Sequence, residues 1–269
     1  CWTKWKKCKI TMKKIMFLFL FLISIVPLYS AGSACKTKPK SKEEATKVFN
    51  LTGMVIDFLE SNDAEFAFVA RKNKENHGVS YTHLGMAWKD EKGRWVVTNL
   101  LQSCEDNEKL STFDDGMALF FAPVPIYDSL VLIPSKETQK SMKEVIRSGE
   151  IEIFKGSVYS INANVWSDKY QNCVQYVLES YVYVKSDKKV KTRRDAINWY
   201  MVRGFKPQKI KVNALERGIG PMVAKNVHFD DHKDRKNKNE IEVATAETVM
   251  NFVQKLETES TIYEIKLEE

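Results

Sequence analysis

Cys173 and His83 are the two residue types that together perform nucleophilic catalysis. Cys173 stands in Tyr170-Gln171-Asn172-Cys173-Val174-Gln175, at the start of a segment with helical spacing. A thiol at a helix N-terminus faces unpaired backbone amides and the positive end of the helix dipole, and both favour thiolate. His83 lies in Tyr81-Thr82-His83-Leu84-Gly85-Met86-Ala87, where strand alternation puts it on the side of Tyr81, Gly85 and Ala87. Gly85 is expected to leave space beside the imidazole for a substrate or a helix end. An imidazole near the thiol lowers its pKa further and acts as general base, then acid. Spacing leaves the alternative open, a core cysteine and a strand histidine that never meet.

His228-Phe229-Asp230-Asp231-His232 is the second cluster of chemical interest. Two histidines four apart with two carboxylates form a candidate Zn²⁺-type metal site built on His228, Asp230, Asp231 and His232. No helix is evident there to put both rings on one face, so a turn with Asp side chains on nearby amides is the plainer reading. No resident metal or other cofactor is expected. Trp88, Trp95, Trp166, Trp199 and the Tyr176, Tyr181, Tyr183 group suit core packing, with a sugar- or lipid-binding cleft as the alternative. Phosphate loops, serine elbows, CxxC pairs and HExxH are absent, and Gly218-Ile219-Gly220-Pro221 reads only as a loop.

The elements that must position these residues follow from periodicity and caps. Ser41 and Glu44 make a capping box before a helix to about residue 61, with Val48, Leu51, Val55, Phe58 and Leu59 on one face. Residues 65–71 form a short strand, and 79–88 and 94–102 a hairpin around Gly93. A short helical piece is expected at 114–121, a buried strand at 129–133 and a surface helix at 135–147. Helices follow at 170–184, from the Thr192 cap to Gly204, and at 245–256; half-exposed strands are expected at 208–212 and 261–267. Residues 230–240 read as a polar loop. The expectation is one α+β domain.

The segments 79–90 (VSYTHLGMAWKD), 94–102 (RWVVTNLLQ), 171–179 (QNCVQYVLE), 226–232 (NVHFDDH) and 241–253 (IEVATAETVMNFV) resemble an uncharacterised family of secreted bacterial proteins. Their histidine-before-cysteine order is similar to the circularly permuted branch of the papain-like NlpC-type hydrolases, which includes lecithin:retinol acyltransferase-like proteins. That resemblance implies a permuted papain-like fold, an antiparallel sheet packed against the helix that carries the cysteine. It also implies that Asn99, on the strand after the histidine strand, orients the imidazole, with Gln102 as fallback. The oxyanion would rest on the Cys173 amide, supported by the Gln171 or Asn172 side chain.

Composition bounds the remaining classes. With 269 residues, 43% hydrophobic and 29% charged, the chain is neither disordered nor low in complexity. Its net charge of +7 suggests nucleic acid until the charge is located. Six of the 42 basic residues lie in 1–35, which holds no acid, leaving 36 basic against 35 acidic groups elsewhere. A near-neutral body has no footprint for a phosphate backbone, so no nucleic-acid partner is expected. Met12-Lys13-Lys14 followed by an apolar run to Val26 reads as a secretory signal, shorter than the ~20 residues of a membrane span.

The expected organisation is therefore a spurious extension at 1–11, a signal peptide at 12–34, a linker at 35–42 and one domain at 43–269. Cys35 after Gly32-Ser33-Ala34 offers a lipid anchor, the one membrane association foreseen, although Gly32 replaces the usual Leu. Cys104 and Cys173 are open to pairing or to remaining free. The expected function is a periplasmic or secreted thiol hydrolase or acyltransferase acting on a cell-envelope peptide or acyl substrate through Cys173, His83 and Asn99. The alternatives are a non-catalytic envelope binding protein of the same fold and a metal-binding envelope protein.

Overall fold

The computed structural model describes residues 39, 41–103, 106, 108–232 and 239–268. The expected extension at 1–11, the expected signal peptide at 12–34, Cys35 and Cys104 lie outside the described residues. One compact unit spans Ala31–Glu269.

Helix α1 (Lys42–Ser61) starts where the Glu44 amide donates to Ser41 Oγ at 3.1 Å, and it buries Val48, Leu51, Val55 and Leu59. Strands β1 (Phe66–Asn76) and β2 (Val79–Lys89) are joined through His77 and Gly78, both left-handed with φ of 52° and 77°. This tight hairpin was not foreseen, because the polar stretch before it lacks strand alternation. Strand β3 (Trp95–Gln102) follows Gly93, whose φ is 73°, as the hairpin pattern requires. The expected helical piece at 114–121 is corrected: β4 (Leu110–Gly116) takes its first three residues, and helix α2 is only Met117–Phe121. Asp114, Asp115 and Gly116 face Thr98, Val97 and Val96 across the β3 ladder, so pairing with a neighbour overrides local preference.

After β5 (Asp128–Ile133), α3 (Lys136–Arg147) is capped by Ser135, and a 3₁₀ turn covers Glu150–Phe154. Helix α4 (Cys173–Lys185) is capped by Asn172, and α5 (Arg193–Val202) by Thr192. Then come β6 (Gln208–Lys211), α6 (Ala214–Val223), a 3₁₀ turn at Asp230–His232, β7 (Glu240–Val243), α7 (Ala246–Leu256) and β8 (Thr261–Lys266). Helix α6 corrects the loop reading of Gly218–Pro221: an Asn213/Glu216 capping box starts it, and Pro221 is inside it.

The fold is mixed α+β. Its main sheet is antiparallel with strand order β4-β3-β2-β1-β5-β8, and β6 and β7 form a separate pair. Strand alternation gives the main sheet two apolar faces. Phe66, Phe68, Ala70, Leu84, Met86, Leu100 and Leu132 share one core with α4 and parts of α3, α5 and α7. Ala67, Val69, Ala87, Val97 and Val131 share the other with α1 and α2. Every α4 residue from Cys173 to Tyr183 is buried, so the helix is enclosed on all sides, and its polar members find internal partners, as Glu179 does in Arg193. Tyr176, Tyr181 and Tyr183 lie in that core with hydroxyls on Glu152, Glu257 and Glu150, so this group lines no cleft. Among the described residues no helix is long and apolar enough to cross a membrane.

Candidate functional site

The site begins with an irregularity in β2. Arg71 of β1 faces His83, but the next residue, Lys72, faces Tyr81, so Thr82 is an extra residue on β2. Such a bulge reverses the side-chain phase. Tyr81 therefore joins the α4 core, while His83 points to the α2 side with Gly85 and Ala87. This corrects the expectation that Tyr81 and His83 share a face. The expected space over Gly85 is also absent. A Cβ there would stand 2.5 Å from Val97 Cγ1 and 2.9 Å from Phe120 Cε2, so the missing side chain admits these two neighbours rather than a ligand.

The ladder between β2 and β3 runs only from Lys89–Trp95 to Met86–Thr98. Beyond it, the sulfur of Cys173, the first residue of α4, takes the place of a ladder partner. Its Sγ lies 3.9 Å from the Thr82 carbonyl oxygen and accepts from the Leu84 amide. These are the residues on either side of His83, so the thiol sits beside the His83 backbone. The Tyr159 hydroxyl and the Val174 amide also point at the sulfur, and the Arg71 charge acts on it. Cys173 is free and 3% exposed. Burial raises its pKa and outweighs those donors and that charge, which corrects the expectation of a depressed thiol.

His83 and Asn99 are in direct contact, His83 Nε2 standing 3.0 Å from Asn99 Oδ1. The fully buried Asn99 is turned by its other end. Its Nδ2 donates to the Val97 and Phe113 carbonyls, both at 3.3 Å, and to Asp115 Oδ2 at 3.0 Å. Facing three acceptors, that end must be the amide nitrogen, so Oδ1 faces the ring and His83 Nε2 carries the proton. The neutral ring then presents Nδ1 as a lone pair, the form a general base needs. Burial, and next the Arg71 charge, hold the His83 pKa well below its ordinary value, with the Asn99 bond opposing them.

Arg71 is the participant the sequence reading missed. It faces His83 across β1 and β2, stacks 5.1 Å from the Phe120 ring centre and donates through Nη1 to the Phe120 carbonyl. The His83 ring packs against the same Phe120 at 5.5 Å. Burial lowers the Arg71 pKa to about 10. The sequence offers little signal for it: Arg71 is the first charge after the apolar run Phe66-Ala67-Phe68-Val69-Ala70, but Lys72 follows directly.

The supporting residues divide differently from expectation. Gln171 is not an oxyanion donor. Its Oε1 accepts from Gly156 N at 2.8 Å, and its Nε2 donates to Phe154 O at 2.8 Å and Glu179 Oε2 at 2.6 Å. Glu179 in turn pairs with Arg193, so a buried ion pair holds the approach to α4. Asn172 caps α4 through Oδ1, accepting from Gln175 N at 2.8 Å, and Cys173 is the first residue of that helix, where backbone amides have no intrahelical acceptor. Gln102 is three residues from Asn99 and so on the opposite face of β3. Its buried Nε2 has no partner among the described residues, and it does not back the imidazole.

His228, Asp230, Asp231 and His232 do not converge on a metal. His228 stacks on Tyr170 with ring centres 4.3 Å apart, Asp230 pairs with Lys169, and His232 Nε2 lies 2.8 Å from the Asn162 carbonyl oxygen. Asp231 Oδ2 accepts from Asn164 N at 2.8 Å. Among the described residues no group of three or more His, Cys, Asp or Glu side chains is arranged to hold a metal ion. The segment instead clamps residues 160–164, the stretch that follows Tyr159. Ser160 N donates to Gln171 O, and Asn172 Nδ2 to Ile161 O, so the clamp braces the start of α4.

The fold and site thus define an α+β protein with a buried cysteine at a helix N-terminus against a strand carrying an amide-bound histidine. The chain belongs to the family described as "Uncharacterized protein conserved in bacteria (DUF2145)", whose model matches residues 58–253. No curated protein and no solved structure matches it.

Proposed function

We propose that this protein is an exported thiol hydrolase or acyltransferase of permuted papain-like architecture, acting in the periplasm or outside the cell on an amide or ester. The observation that carries the reading is the Cys173 sulfur lying between the backbone groups that flank His83, while Asn99 Oδ1 stands 3.0 Å from His83 Nε2, which leaves Nδ1 as the ring atom to act as base. Thiol and imidazole rest neutral, because burial opposes both charges. On substrate binding, Nδ1 takes the thiol proton as Sγ attacks the carbonyl carbon. The resulting oxyanion meets the Cys173 amide at the positive end of α4. Imidazolium then protonates the leaving group, and a thioester remains for water or another acceptor. Cell-envelope peptides and acyl groups are the substrate classes of this reading, and Cys35 is its candidate lipid anchor.

Alkylation by iodoacetamide, located by peptide mapping, tests it. Cys173 is expected to label, with His83→Ala slowing the reaction by roughly a hundredfold. Labelling confined to Cys104, or untouched by His83→Ala, refutes the reading. A second reading, a non-catalytic envelope binding protein of the same fold, draws on the burial and raised pKa of Cys173. It predicts a thiol inert with or without His83.

A further inference from the structure

Among the described residues two arginines, Arg71 and Arg193, are buried, and they are treated differently. Arg193 has a carboxylate: its Nε lies 2.9 Å from Glu179 Oε2, its Nη2 3.1 Å from Oε1, and two backbone carbonyls take further donors. Arg71 is 6% exposed, yet its side chain has only the Phe120 carbonyl as a hydrogen-bond partner and no ion-pair partner among the described residues. The acids that act on it are the Cys173 thiol, first, and then Asp115, whose carboxylate is hydrogen-bonded to Asn99, and neither is hydrogen-bonded to the guanidinium. A buried guanidinium without a bonded carboxylate is costly, and its planar fork matches a carboxylate in two-point contact.

Its position says which carboxylate. Arg71 is the cross-strand neighbour of His83 and shares Phe120 with it, on the opposite sheet face from the body of α4. The oxyanion belongs at the α4 N-terminus, whereas the leaving group belongs beside the histidine that protonates it. Whatever flanks the histidine therefore flanks the leaving group.

We propose that Arg71 reads a free carboxylate on the departing amine, so that the substrates are N-acyl amino acids or peptides cleaved before a C-terminal residue. This rests on the Cys173–His83 reading and specifies its substrate. The S–C bond forms and the C–N bond breaks. The thiol proton travels through His83 to the nitrogen, and a free amino acid leaves with its carboxylate on Arg71. Water then hydrolyses the thioester.

The test compares two alkylating agents of nearly equal size, anionic iodoacetate and neutral iodoacetamide, on the folded protein. Their rate ratio at Cys173, set against the ratio for the same cysteine in the unfolded chain, is expected to favour iodoacetate by about tenfold or more. Arg71→Gln should abolish the preference and Arg71→Lys should keep part of it. A ratio equal to that of the unfolded chain, or one that survives in Arg71→Gln, overturns the proposal. If Arg71 serves only the thiolate, Arg71→Gln slows both agents equally and leaves their ratio unchanged, which is that same negative result. If the variants do not fold, wild-type protein decides: N-acetylglycine should shield Cys173 from iodoacetamide where N-acetylglycinamide at equal concentration does not. Equal shielding, or none, overturns it. Labelling that depends on His83 but lacks any anion preference sinks this proposal alone; labelling that ignores His83 sinks the reading beneath it as well.

Discussion

Replacing Asn99 by Leu separates what this residue does for the fold from what it does for the thiol. Leucine nearly preserves the shape and removes the acceptor of His83 Nε2 together with the donor to Val97, Phe113 and Asp115. The buried His83 N–H loses its partner at about 1–3 kcal/mol, and the lost donor contacts bring the total to roughly 2–4 kcal/mol. For a domain of this size each kcal/mol lowers Tm by about 2–4 °C, so calorimetry should show a drop of roughly 4–16 °C. The ring is no longer held in the Nε2–H tautomer. The Cys173 alkylation rate, measured well below the new Tm, should fall by about ten- to a hundredfold. In a His83→Ala background the same substitution should leave the rate unchanged, since there is no ring to orient. Equal slowing in both backgrounds means that Asn99 acts through the fold alone, and refutes the reasoning.

Other perturbations follow from the same contacts. His83 has its folded pKa depressed, so it contributes stability above its unfolded value of about 6.5 that is lost as pH falls. The urea midpoint should drop between pH 7.5 and 5, and His83→Phe should flatten that drop. Gly85→Ala forces a methyl against Val97 and Phe120 and should cost about 1–3 kcal/mol in denaturant melts, with Cys173 reactivity changing as Phe120 shifts beside Arg71 and His83. Burial raises the Asp231 carboxyl to about 6, so its contribution to stability is present at low pH and lost as pH rises through that value. Asp231→Asn keeps an acceptor for Asn164 N; it should melt higher than wild type at pH 8 and show little gain at pH 4.

What the sequence makes legible is mostly local. Ser41, Ser135, Thr192 and Thr245 mark helix starts because a cap is a contact within four residues, and each one caps its helix. Gly93 marks its hairpin for the same reason. Strand β4 is not legible, because its Ser111-Thr112-Phe113-Asp114-Asp115 stretch is held by the β3 ladder rather than by its own alternation. Helix α6 hides behind two glycines and Pro221, although the Asn213/Glu216 box was there to be read. Within the site, the contact between His83 and Asn99 came into view through a family pattern. The Thr82 bulge, which decides the face of His83, leaves no trace in composition. Arg71 acquires meaning only when burial and the absence of a paired carboxylate are known, and both are properties of the packed chain.

The central claim is a distance. In a crystal structure of the protein with Cys173 reduced, His83 Nδ1 should lie about 3–4 Å from Cys173 Sγ, with Asn99 Oδ1 on Nε2 behind the ring. A ring whose Nδ1 points away, more than about 6 Å from the sulfur with no water bridging them, contradicts the account.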